Sequence, residues 1–246
     1  DEKVWLEVKP EQIDKPFYFT FNITNSIGEQ GLYGSQMGRG LGSGRGQVVY
    51  FRRIGNQMQL VAQNLMFRAQ PGTPQSEFVQ QGFSESLISS ASVVSQPHPD
   101  KKSILIDANA LLLKDLPMMG TTLDIAFRAG YSFDPAHTHF TKVRPTEKAV
   151  SFNVNAHYAI PKLNAPPITP TPVPMPPPPN NLPDVRSMFI GLIYNFTALP
   201  EAMKPREADD RVGHFTTRFL DFGDDLKPSA ARHYINRWRL EKKDAA

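Results

Sequence analysis

No cysteine occurs in the 246 residues, which removes disulfide frameworks, thiolate zinc sites and cysteine nucleophiles together. No His-Glu-x-x-His occurs either. A zinc peptidase needs those two histidines one helical turn apart and the glutamate that activates the metal-bound water. Apolar runs are short, and none approaches the roughly 18 to 20 residues that span a bilayer as a helix. Net charge is only +3, too mild to imply nucleic acid on its own. The chain opens Asp1-Glu2-Lys3 without a methionine or a signal peptide, so it reads as a processed or excised piece.

What is abundant is proline and alternation. Phe17, Phe19, Phe21 and Ile23 alternate with Tyr18, Thr20, Asn22 and Thr24, the period-2 pattern of a half-buried strand. Residues 4–8 form a shorter strand just upstream. Residues 48–54 and 57–62 flank Gly55-Asn56, a glycine-led pair suited to a tight hairpin turn. Residues 78–92 fit either periodicity. Residues 103–106 read as extended, with Asp107 placed to cap a short helix over 108–114. Further strands are expected near 122–127, 140–143, 150–158, 187–197 and 212–222. In 150–158, Phe152, Val154 and Ala156 alternate with Ser151, Asn153 and Asn155. Near the end, Tyr234, Trp238 and Leu240 share one face and Arg237, Arg239 and Glu241 the other. That spacing suggests that the aromatic face is core.

Residues 161–183 hold 11 of the 23 prolines, including the run from Pro176 through Pro179. Proline fixes φ and removes the amide donor, so this stretch is expected as an extended polyproline strap rather than a sheet strand. The organisation expected is a β-rich domain over 1–160, the strap over 161–183, and further strands over 184–246 packing on the same domain. The fold class is mainly antiparallel β, α+β with one or two short helices, crossed by the proline strap.

Several clusters bear chemistry. Eight glycines between 28 and 46 run into a strand with no Gly-Lys-Ser/Thr and no G-x-G-x-x-G frame, which makes a mobile loop the better reading than a phosphate cradle. His137-Thr138-His139 would place two imidazoles on one side of a strand, a spacing metal sites use. It follows Phe133-Asp134-Pro135 in what reads as a turn, and no third ligand stands nearby in sequence. Surface or hydrogen-bonding histidines are the default there, with a metal as the alternative. Asp209-Asp210-Arg211-Val212-Gly213-His214 gathers acid, base and imidazole. The plainer reading pairs Arg211 with a carboxylate. The basic tail (Arg232, Arg237, Arg239, Lys242, Lys243) reads as a solvated strand edge ahead of a phosphate grip. The sequons at Asn22 and Asn195 fall in strands and carry no weight. From the residues alone, no catalytic, cofactor-binding or metal residue is assigned.

Seven ordered blocks carry a resemblance. They are Lys3-Val4-Trp5-Leu6-Glu7-Val8, Gly31-Leu32-Tyr33-Gly34-Ser35-Gln36-Met37-Gly38-Arg39, Val49-Tyr50-Phe51-Arg52-Arg53-Ile54-Gly55-Asn56 and Asn155-Ala156-His157-Tyr158. The others are Thr169-Pro170-Thr171-Pro172-Val173-Pro174, Asp209-Asp210-Arg211-Val212-Gly213-His214-Phe215 and Asn236-Arg237-Trp238-Arg239-Leu240-Glu241-Lys242-Lys243. Together they are similar to the uncharacterised region preceding the catalytic domain of large, exported bacterial zinc-dependent metallopeptidases of metzincin-like type. In that family the zinc-binding helix lies downstream of the last block, so no catalytic residue is carried over. The resemblance implies a non-catalytic accessory region that supports folding, shields the cleft or helps bind protein or peptide substrate. Its implied partner is the catalytic domain of the same polypeptide, with no cofactor in this chain and zinc in that other domain. An exported location follows: periplasmic, outer-membrane-associated or secreted. An accessory region should leave an apolar or strongly shaped patch exposed in the isolated chain. The alternative is an independent protein- or glycan-binding module using the glycine-rich loop and the strap. A third reading, a hydrolase built on Asp209, Asp210 and His214, makes activity depend on His214.

Overall fold

The computed structural model describes residues 3–37, 46–163, 176–211, 213–223 and 230–240. Residues 38–45 of the glycine-rich stretch, 164–175 of the proline strap, Val212 and residues 241–246 of the basic tail lie outside them. In chain order the strands and helices are β1 (Trp5–Val8), β2 (Phe17–Asn25), β3 (Gln36–Met37), β4 (Gln47–Ile54), β5 (Gln57–Ala62), β6 (Phe67–Arg68), α1 (Pro74–Gly82) and β7 (Ser86–Ser92). There follow β8 (Ile104–Asp107), α2 (Ala108–Leu112), α3 (Met119–Phe127), β9 (Ser132–Pro145), β10 (Ala149–Ala159), β11 (Ser187–Ala198), β12 (Thr216–Asp221) and β13 (Ala231–Ile235). The fold is mainly antiparallel β with a few short helices, as the alternating patterns imply. No helix among the described residues is long and apolar enough to cross a membrane.

The chain divides into two compact units that interleave in sequence rather than following one another across the strap. One comprises Asp1–Ala62 and Leu87–Leu199, the other Gln63–Ser86 and Pro200–Ala246. The first unit is built on a sheet in the order β7-β5-β4-β2-β11-β10-β9, with β3 beside β2, and a separate β1–β8 pair. Period-2 sequence gives the sheet one apolar face. Phe19 and Ile23, Val49 and Phe51, Phe152, Val154, Ala156 and Tyr158, and Ile190, Leu192 and Tyr194 are all buried in one cluster. Each of the larger aliphatic and phenyl side chains removed from water contributes about 1.5–3 kcal/mol. The β4–β5 hairpin closes at Gly55, whose φ of +57° falls where side chains are disfavoured.

Asp107 caps α2 as expected, its carboxylate accepting from the Asn109 and Ala110 amides. The strand expected near 122–127 is instead α3. Met119, Leu123 and Phe127 recur every four residues and bury one face, and Asp115 accepts from the Met119 and Gly120 amides at 2.7 and 2.8 Å. The β-branched Thr121, Thr122 and Ile125 argue for a strand locally, and burial of the other face overrides them. The ambiguous 78–92 resolves into the end of α1 and then β7.

The second unit holds the sheet β13-β12-β6 and helix α1. Thr73 caps α1, with Pro74 as its first residue. Phe67, Phe78, Phe83 and Phe222 form a ring cluster, and Phe219 stacks on Tyr234.

Candidate metal centre

The β9–β10 ladder contains a large irregularity. Asn155 pairs with His139 and His157 with Asp134, so the single residue Ala156 on β10 faces residues 135–138 on β9. Proline at 135 cannot donate to a ladder, which favours leaving it at that point. The bulge is held from inside by buried Thr138. Its hydroxyl donates to the Asp134 carbonyl at 2.8 Å and accepts from the His157 amide at 2.9 Å, standing in for the missing ladder partner.

The bulge brings three donor groups together. Asp134 Oδ1 accepts from the Ala136 amide at 3.0 Å, which leaves Oδ2 facing two imidazoles. His137 Nδ1 lies 2.6 Å and His157 Nδ1 2.9 Å from that oxygen. His157 Nε2 lies 2.8 Å from Ser187 Oγ at the start of β11, so both of its ring nitrogens are engaged. The His157 side chain is 12% exposed and that of His137 is 70% exposed. Hydrogen bonds from His137 and His157 hold the Asp134 carboxyl well below the usual carboxylate range, at about 2.

One ligand atom from each of Asp134, His137 and His157 falls within 4.8 Å of the others. The expectation that this chain takes no cofactor is corrected by this cluster: two imidazole nitrogens and a carboxylate oxygen converge on one point, a donor set suited to a transition metal. The sequence pointed to His137 and His139. His139 is exposed and outside the cluster, because the bulge breaks the alternation that would have set the two on one side. The third ligand, His157, lies on the neighbouring strand, where only strand pairing reveals it.

The other candidates are placed differently. Asp209 is held by Arg211, Nε to Oδ1 at 2.8 Å, which lowers its carboxyl, while His214 is exposed. In the tail, Arg232 is buried beside Glu207, while the Arg239 guanidinium donates to the Glu201 carbonyl at 3.1 Å and that of Arg237 to the Lys204 carbonyl. Of the expected apolar face only Tyr234 is half-buried, stacked on Phe219. The arginines hold the segment to residues 201–204, and Trp238 and Leu240 stand 87% and 89% exposed rather than in a core. Phe215, 87% exposed, accepts a backbone hydrogen bond from Asn236 and so lies beside this segment. In the first unit, a groove of about 650 Å³ is lined by Trp5 and Leu6 of β1, by Phe17, Phe51 and Phe196, and by residues 145–149 between β9 and β10.

A family model described as a domain of unknown function, DUF5117, matches residues 42–243. No curated protein and no solved structure matches the chain.

Proposed function

The chain belongs to the DUF5117 family, and on that premise we propose that it is an accessory region that docks onto another domain of a longer polypeptide. The resemblance described above implies that this domain is the catalytic part of an exported bacterial zinc metallopeptidase. One observation carries the docking: Phe215, Trp238 and Leu240 are each 87–89% exposed on one small part of the second unit. Single exposed apolar residues are ordinary; here three large ones lie on two segments joined by the Asn236–Phe215 backbone bond, each open for a partner to cover. Covering each contributes about 1.5–3 kcal/mol. A second reading, an independent protein- or glycan-binding module, is supported by the aromatic-lined groove of the first unit.

Hydrogen exchange separates the readings. Amides of residues 213–223 and 230–240 are to be compared between the 246-residue chain and the full-length gene product purified from its native source, with intact mass and zinc content measured in parallel. Docking predicts a heavier species and slower exchange at these residues in it. Equal exchange removes the docking, and a native species of 27.5 kDa removes the parent enzyme.

A further inference from the structure

We propose that Asp134, His137 and His157 bind one divalent transition-metal ion, Zn²⁺ being the best match, and that Ser187 holds His157 in its ligating orientation. The donors come from two strands of one unit, and three features favour a metal over a plain hydrogen-bonded cluster.

The first is convergence on a single oxygen. Both Nδ1 atoms aim at Asp134 Oδ2, at 2.6 and 2.9 Å. Around a zinc ion with bonds of about 2.0–2.1 Å, neighbouring tetrahedral donors stand about 3.3 Å apart. The two Asp–His distances therefore need to open by about 0.4–0.7 Å. The two imidazole nitrogens, within 4.8 Å of each other, settle toward the same spacing, a movement that the 70% exposed side chain of His137 can supply.

The second is the far nitrogen of His157. Without an ion, Nδ1–H donates to Asp134 Oδ2; with an ion bound, Nε2–H would donate instead to Ser187 Oγ, 2.8 Å away, and the Nδ1 lone pair would face the metal. A ligating histidine whose other nitrogen is fixed by an outer hydrogen bond is the usual arrangement at protein metal sites. Phe189, its ring centroid 4.8 Å from that of His157, covers one side of the imidazole.

The third is the bulge itself. An uninterrupted ladder would set a single β9 residue opposite Ala156 in place of the four residues 135–138. Their insertion, stabilised by Thr138, is what lets Asp134 and His137 share a side with His157. One carboxylate and two neutral imidazoles carry a single negative charge against the ion's two positive ones. Three protein ligands leave a coordination position for water or for a group from another molecule.

The test is a calorimetric titration of the chelator-treated 246-residue chain with zinc chloride alone near neutral pH, with Co²⁺ absorbance as a second readout of the ligand set. The expected result is one Zn²⁺ per chain. His137→Gln and Asp134→Asn each weaken binding about tenfold or more, Ser187→Ala weakens it and shifts the Co²⁺ spectrum, and His139→Gln leaves it unchanged. His137 is exposed, so its variant keeps the fold, which circular dichroism verifies. No saturable binding below about 1 mM, or binding that survives both His137→Gln and Asp134→Asn, overturns the proposal and leaves a hydrogen-bonded cluster only. Binding abolished by His139→Gln places any metal elsewhere and overturns it equally.

Discussion

At the scale of single residues, two buried tyrosines in the same core should behave oppositely. Tyr158 donates to Asp115 Oδ1 at 2.8 Å, whereas the Tyr194 hydroxyl is buried with no partner among the described residues. Burial pushes both hydroxyls above the ordinary tyrosine range, so each stays neutral. Tyr158→Phe removes a bond to a charged acceptor and should cost about 1.5–3 kcal/mol in urea unfolding. Tyr194→Phe removes only a desolvated oxygen and should leave stability equal or slightly higher. A loss at Tyr194 as large as at Tyr158 contradicts this assignment. Neither behaviour is legible in the sequence. Period-2 alternation places both tyrosines inward, but it cannot tell which hydroxyl meets a carboxylate from a different part of the chain. His157 hides in the same way: its own strand was recognised from Phe152, Val154 and Ala156, yet its partners Asp134 and Ser187 become neighbours only once three strands are paired.

At the scale of elements, local chemistry was legible wherever one short segment contained the whole cause. Gly55-Asn56 closes its hairpin and Asp107 caps its helix because turn and cap need only adjacent residues. Helix α3 departs from its local β-branched pattern because the burial of Met119, Leu123 and Phe127 that decides it is tertiary, although the Asp115 carboxylate that receives its first amides lies only a few residues upstream. The Trp238–Leu240 segment was expected to turn its apolar residues inward, but residues 236–240 are exposed throughout and are tied by arginine bonds to the carbonyls of 201 and 204. The bulge in β9 offers a sharp test of an element held by one side chain. Thr138→Val keeps shape and volume but leaves the His157 amide and the Asp134 carbonyl without their partner, so unfolding free energy should fall by about 1–3 kcal/mol. An unchanged value in denaturant melts means that the bulge is held by something other than this hydroxyl.

At the scale of the whole molecule, interleaving of the two units escaped a linear reading, because composition shifts mark stretches of chain and not which distant stretches meet. The acid limb of stability is also collective. Arg186 holds the Asp184 carboxyl down at about 2, from an ordinary 3.8, through paired hydrogen bonds, and Arg211 lowers Asp209 similarly. A carboxyl depressed in the folded state contributes stability that is present above about pH 4 and lost as pH falls toward about 2. Asp184→Asn should therefore melt slightly below the native chain near pH 6, and the two curves should meet by about pH 2; the gap stays small because the pair is exposed. A gap that persists at pH 2 refutes this origin. A last consequence concerns β9, which ends its sheet with only β10 beside it among the described residues. Fourteen residues of open strand rim invite other copies to add on and grow a fibre. Pro135, Pro145, Lys142, Arg144 and the bulge interrupt that template, so the irregularity that gathers Asp134 and the two histidines also disfavours strand addition at this rim.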